Sequence, residues 1–193
     1  GVLLPVSALP GSSGIGNFGS GAYRFIDALH KSGVSFWQIL PLNPQGRGFS
    51  PYSSDSAFAI SPLYLDCLED CDNTETADYR KALHNTQKVY RQLLEDFDED
   101  DPSYKAFLNE NAFWLNAYAE FKKNQDVKKI QFILRKQWDK LKNYATMKGI
   151  KIIGDVPIYV AANSADVAAH RSLFAVGNDF TPLSVAGVPP DLF

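Results

Sequence analysis

The chain has 193 residues, of which 45% are hydrophobic and 21% charged, with a formal net charge of −3. This is the balance of a globular domain. It excludes a protein that grips nucleic acid through its phosphates, which would carry a basic face, and no apolar run approaches the ~20 residues of a membrane-spanning helix.

GVLLPV (1–6) reads as a short buried strand, and the Gly/Ser/Pro-rich loop ALPGSSGIGNFG follows it. SGAYRFIDALHKSG (20–33) then sets Ala22, Phe25, Ile26 and Leu29 on one helical face, with Ser20 as the expected N-cap and Gly33 as the stop. VSFWQILPL (34–42) is the second strand, ended by Pro41 and Pro44 because proline cannot donate to a ladder. A β-α-β unit with connections this short predicts parallel strands.

NPQGRGFSPYSSDSAF (43–58) is a long loop. Helical spacing returns over 76–97 through Tyr79, Leu83, Tyr90, Leu93 and Leu94. The acidic run EDFDEDD (95–101) reads as a solvated linker. A helix then starts at Pro102 and Ser103 and runs through Trp114 to Phe121, and another covers about 127–148 and is closed by Gly149. IKIIGDVPIYV (150–160) is the third strand, and Asp155 falls in its middle. A carboxylate inside a buried strand needs a partner or must neutralise. About a hundred residues separate the second and third strands, far more than a single crossover helix needs. A mainly helical insertion at roughly 55–125 is therefore expected between them.

Gly14, Gly16 and Gly19 spell GxGxxG between a strand and a helix, which makes a dinucleotide site a rival reading. The strand does not lead directly into the first glycine, and the second strand ends in Leu40, Pro41, Leu42 and Asn43 without the acid that would hold a ribose. The glycines are better read as serving a tight loop against the helix start. Cys67 and Cys71, with histidines only at 30, 84 and 170, do not make a four-ligand zinc site. No metal or cofactor is expected. Sparse cysteine and the lack of a signal peptide suggest the cytoplasm.

In parallel α/β folds, ligands bind beyond the carboxyl ends of the strands. Asp155 points toward that end of the third strand, and Tyr52 sits in SPYSS in the loop after the second. Taken alone, Tyr52 fits plain loop packing as well as sugar stacking. Asp155 alone fits a carboxylate that orders neighbouring loops. Asp166, in ANSADV, reads as an N-terminal helix residue.

Four stretches taken together carry more. GVLLPVSALPGSSGIGNFG, FWQILPLNPQGRGFSPYSSDSAF, KGIKIIGDVPIYVAANSADV and VAGVPPDLF, in that order, resemble the 4-α-glucanotransferases of glycoside hydrolase family 77. The resemblance implies an α/β fold, the N-terminal part of a (β/α)8 barrel with a helical insertion between strands two and three. On that scheme residues 1–54 are the first two β/α units, 55–125 the insertion, and 126–193 a helix, the third strand and the start of an active-site loop region.

The resemblance also implies transfer of α-1,4-glucan segments between maltooligosaccharides or starch with retention, through a carboxylate nucleophile and a second carboxylate acting as acid and base. Ser50, Tyr52 and Asp155 become the substrate-binding set. Tyr52 would wall the sugar beside the scissile bond, and Asp155 would keep its charge by meeting a cation and a tyrosine hydroxyl. No catalytic acid is expected in this chain, because the family carries them on later strands. A barrel of this kind needs about 250 residues, the chain opens inside an apolar run, and it stops without a closing element, so it reads as a piece of something longer. The chain departs from the family at Ala168, where a Trp is usual, and at Asp55. The competing expectation is a non-catalytic carbohydrate-binding or scaffold domain. Exposed strand edges would also favour self-association.

Overall fold

A computed structural model describes residues 1–11, 13–66, 76–179 and 181–184, with the side chain of Arg47 excepted. Cys67, Cys71 and the VAGVPPDLF stretch at 185–193 lie outside the described residues. The elements are β1 (Val2–Leu3), α1 (Ser20–Lys31), β2 (Phe36–Gln38), α2 (Tyr79–Glu95), α3 (Pro102–Glu110), α4 (Ala112–Phe121), α5 (Val127–Met147), β3 (Lys151–Ile153) and α6 (Ala165–Ala169), joined by loops and short 3-10 turns. No helix among the described residues is long and apolar enough to cross a membrane.

The three strands form one parallel sheet in the order β1-β2-β3, with Val2, Trp37 and Ile152 in register. Side chains alternate across a strand. Trp37 is accordingly fully buried under α1 and α5, its ring meeting Phe25 edge-on at 5.2 Å. Ala22, Ile26 and Leu29 of α1 and Leu134, Leu141 and Ala145 of α5 complete that core. The opposite face carries Leu3, Phe36 and Ile153, all exposed.

The strands are shorter than the apolar runs that contain them. The last rung between β2 and β3 is Ile39 N–H to the Ile153 carbonyl at 2.9 Å. Pro41 follows and has no N–H to extend the ladder. The expectation of Asp155 inside a buried strand is therefore corrected. It stands two residues past β3, partly open to solvent, while Val156 and Ile158 beyond it are exposed.

Two helical expectations are also corrected. Gly19, not Ser20, precedes the first turn of α1, and Ser20 is its first helical residue. The helix expected from Pro102 to Phe121 divides at Asn111, whose side-chain amide donates to the Phe107 carbonyl at 2.9 Å and whose Oδ1 accepts from Trp114 Nε1 at 3.0 Å. Such local side-chain bonding competes with the helical ladder.

A second buried cluster lies among the helices, built from Tyr104, Phe107, Trp114, Leu115, Tyr118 and Phe132, with Ala59 and Ala165. It sets α6 against α4. Gly14 of the GxGxxG run adopts φ +111° where the loop lies against the start of α2, and a Cβ there would strike the Asp78 carbonyl and the Ala82 amide. Its glycine is accounted for by that close approach.

Candidate functional site

The three strands end on one side of the sheet, and the long loop after β2 folds back over that side. Gln45 and Ser54 pair antiparallel and pinch the loop closed at its base. Next to that bridge, a Cβ on Gly46 would collide with the Ser53 carbonyl, so the pinch requires glycine. Beneath the loop lies a polar network with little access to water. Asn43 Nδ2 donates to the carbonyls of Ser56 and Ala59 at 3.1 and 3.2 Å, and Ser54 Oγ donates to the Ser56 carbonyl at 2.8 Å. Ser61 Oγ donates to Gln45 Oε1 at 2.6 Å, and Gln45 Nε2 donates to Tyr64 Oη at 3.0 Å. Burial pushes the Tyr64 phenol up to about 12, so it remains a neutral partner in this network. Gln131 of α5 clamps both backbone groups of Ile60 at 2.8 Å. Buried polar groups satisfied this fully hold a loop in one conformation.

This scaffold carries Tyr52 to Asp155. The phenol donates to Asp155 Oδ2 at 2.5 Å, across 103 residues of sequence. The hydrogen bond that it donates to Asp155 raises the Tyr52 pKa above its ordinary value, and desolvation and the adjacent negative charge act in the same direction. Tyr52 is thus a neutral donor at pH 7, and its bond to a carboxylate is of the short, charge-assisted kind. Tyr52 is 47% exposed, so its ring remains available to a flat ligand.

Ser50 has a different place. Its Oγ accepts from the Tyr52 backbone N–H at 3.3 Å, and its carbonyl accepts from Gly46 N–H and Ser53 N–H. Ser50 therefore shapes the turn that presents Tyr52. Of the cation and the hydroxyl expected at Asp155, the hydroxyl is present; among the described residues no ion pair reaches this carboxylate. Asp166 does lie in the first turn of a helix, α6, and its Oδ2 accepts from the Ala57 N–H at 2.9 Å, which pins the loop from the other side.

Sequence reading missed the residues that tie the loop to the helices. Asp55 pairs with Lys122 at 2.8 Å, and its carbonyl accepts from Ala165 N–H at 2.8 Å. Asp55 and Lys122 also line a cavity of about 470 Å³ behind the loop, together with Tyr90, Tyr118 and Gln131. Burial raises both phenols, Tyr90 to about 12. The one signal available was Asp55 itself, an acid within the otherwise small and polar run SSDSA.

An exposed aromatic ring bonded through its hydroxyl to a carboxylate suits a hydroxyl-rich ligand. A ring of this kind can cover an apolar sugar face, and a carboxylate can accept from sugar hydroxyls. Comparison with known proteins bears on that chemistry. The chain is 35% identical to a 4-alpha-glucanotransferase of Clostridium butyricum over 243 residues, covering 98% of this chain and 50% of that protein. It is 36% identical to a 4-alpha-glucanotransferase of Aquifex aeolicus over 241 residues, covering 100% and 50%. Among solved structures, an amylomaltase from Streptococcus agalactiae in complex with acarbose superposes with a TM-score of 0.80 at 31% identity, covering 100% of this chain and 50% of that one. The chain thus spans about half the length of the relatives it matches. The profile of the 4-alpha-glucanotransferases, glycoside hydrolase family 77, matches residues 4–129 and 124–193, and the chain belongs to that family.

Proposed function

We propose that this chain is the N-terminal portion of a retaining 4-α-glucanotransferase that moves α-1,4-glucan segments between maltooligosaccharides or starch. The observation that carries the reading is the Tyr52–Asp155 hydrogen bond beyond the carboxyl end of β3, in a chain whose relatives bear that activity by name. In this reading the sheet is the first part of a (β/α)8 barrel, residues 1–54 and 126–193 belong to it, and 55–125 form the inserted subdomain. A parallel sheet with helices on one face supports a barrel segment. The exposed opposite face, with Leu3, Phe36 and Ile153, would be the barrel interior.

Tyr52 walls the sugar beside the scissile bond, with Ser50 shaping its turn. Asp155 accepts from a sugar hydroxyl and is aimed by the phenol. The nucleophile and the acid/base, which in retaining enzymes stand about 5–5.5 Å apart, belong to later strands and not to this chain. The scarcity of cysteine supports a cytoplasmic setting.

The test is maltotriose disproportionation read by chromatography. The isolated chain should form neither longer nor shorter oligosaccharides. The protein with its catalytic acids should form both, and Asp155→Ala should cripple turnover while circular dichroism remains unchanged. Near-normal transfer by that variant would remove Asp155 from the site. Robust disproportionation by the isolated chain would place the catalytic acids within it.

A further inference from the structure

We propose that Lys122 is a positioning residue, whose ion pair with Asp55 holds the Tyr52-bearing loop in register with Asp155. The proposal rests on the reading of Tyr52 and Asp155 as the sugar contact.

Three observations converge on this pair. The first is geometry. Lys122 Nζ lies 2.8 Å from Asp55 Oδ2, with the two side chains 36% and 31% exposed. Asp55 is three residues from Tyr52. Its carbonyl is tied to α6 through Ala165 N–H, and its carboxylate is tied to α4 through Lys122. Asp55 is therefore tied to both helices at once. Tyr118, 2% exposed, lines the same cavity as the pair.

The second observation is the backbone that delivers Lys122. It is the C-cap residue of α4, its N–H donating to the Tyr118 carbonyl at 2.9 Å. Lys123 then turns at φ 51°, and Asn124 N–H closes on the Ala119 carbonyl at 3.1 Å. Within five residues the chain has entered α5 at Val127. A left-handed residue directly after a helix makes a sharp, defined exit. Lys122 thus leaves from a fixed point rather than from a flexible linker.

The third is a difference from the relatives. Their alignments run over 241 to 251 residues against 193 here, so they carry roughly fifty residues that this chain lacks. The family match falls in two stretches that meet at 124–129, the turn just described. A longer excursion at this junction would separate the end of α4 from the start of α5. Here the turn between α4 and α5 is tight, and the residue at its mouth reaches the loop directly.

A partly exposed ion pair adds little to global stability. Its effect is local, and local opening is what amide hydrogen exchange reads. In Lys122→Met, exchange across 52–58 should accelerate about threefold, the scale of a partly exposed pair, while α5 amides remain unchanged. Lys122→Arg should retain wild-type exchange. The reversal Asp55→Lys with Lys122→Asp should restore it, as expected for a coupled pair.

No acceleration in Lys122→Met, or acceleration spread evenly over the chain, would overturn the clamp. Maltoheptaose binding, followed by tyrosine and tryptophan fluorescence, separates the clamp from the sugar reading. Weaker binding in both Tyr52→Ala, which removes the ring, and Lys122→Met supports the proposal. Weaker binding in Tyr52→Ala alone refutes the clamp and leaves the sugar site standing. Unchanged binding in Tyr52→Ala refutes the sugar reading, and the positioning role falls with it even where exchange accelerates.

Discussion

Tyr52 and Asp155 make a two-residue device whose behaviour follows from one hydrogen bond. Ionising the phenol would break a 2.5 Å bond to a carboxylate and set two negative charges against each other. The proton is therefore held above the ordinary tyrosine value, and Asp155 supplies both the first cause and the charge. Asp155→Asn keeps the shape and removes the charge. Difference titration at the phenolate absorbance band should then show one tyrosine titrating at lower pH than in the wild type, back toward the usual value of about 10. The same difference spectrum in Tyr52→Phe should lack that tyrosine altogether. If Asp155→Asn leaves every tyrosine where it was, the bond is absent in solution. The pairing itself was within reach of the sequence only through the quoted motifs. Nothing in composition or spacing links residues 103 positions apart, and premises drawn from the local run pointed to a buried strand instead.

Strands of two or three residues need support from outside their own ladders, and Trp37 supplies it. Its ring is wholly buried between the sheet and α1, and its Nε1–H donates to the Leu4 carbonyl at 2.8 Å. That bond reaches the chain just past β1, where a longer strand would have made another rung. Trp37→Phe keeps an aromatic ring against Phe25 but leaves the carbonyl short of a donor and opens a small void. The expected loss is about 1–2 kcal/mol in urea unfolding, the sum of one hydrogen bond and a partial cavity. A loss within error would mean that the Leu4 carbonyl finds water instead. Helices were the legible part of this fold. α1, α2 and α5 each bury one stripe, and periodicity reads stripes well. Strand ends were not legible, because Val156 and Ile158 are as apolar as Ile152 and Ile153 yet, among the described residues, join no ladder. Apolarity there marks a surface awaiting cover, not a ladder. The break at Asn111 was hidden for another reason: a single side-chain amide taking the Phe107 carbonyl leaves no periodic trace. The Asp55–Lys122 pair, 67 residues apart, left none either.

At the scale of the molecule, the described residues present a sheet finished on one side only. Trp37 and its neighbours face α1 and α5, while Leu3, Phe36 and Ile153 face outward, and beyond β3 stand Val156 at 79% and Ile158 at 90% exposure. Among the described residues β3 pairs with β2 alone, so its outer edge offers free backbone donors and acceptors. An open edge beside an apolar face is the arrangement that recruits further strands. In a barrel, later strands would take that place. In the isolated chain a second copy is the nearest substitute. Light scattering coupled to size exclusion should therefore show mass rising with concentration. Ile153→Lys with Ile158→Lys, which set charges on the face and beside the edge, should shift the population toward monomer without changing the helical signal. The double variant separates this from unfolding, because loss of structure would lower the helical signal as association changed. A sharply melting monomer across the concentration range would show that the uncovered face is tolerated in water, and would weaken the reading of this sheet as an incomplete barrel.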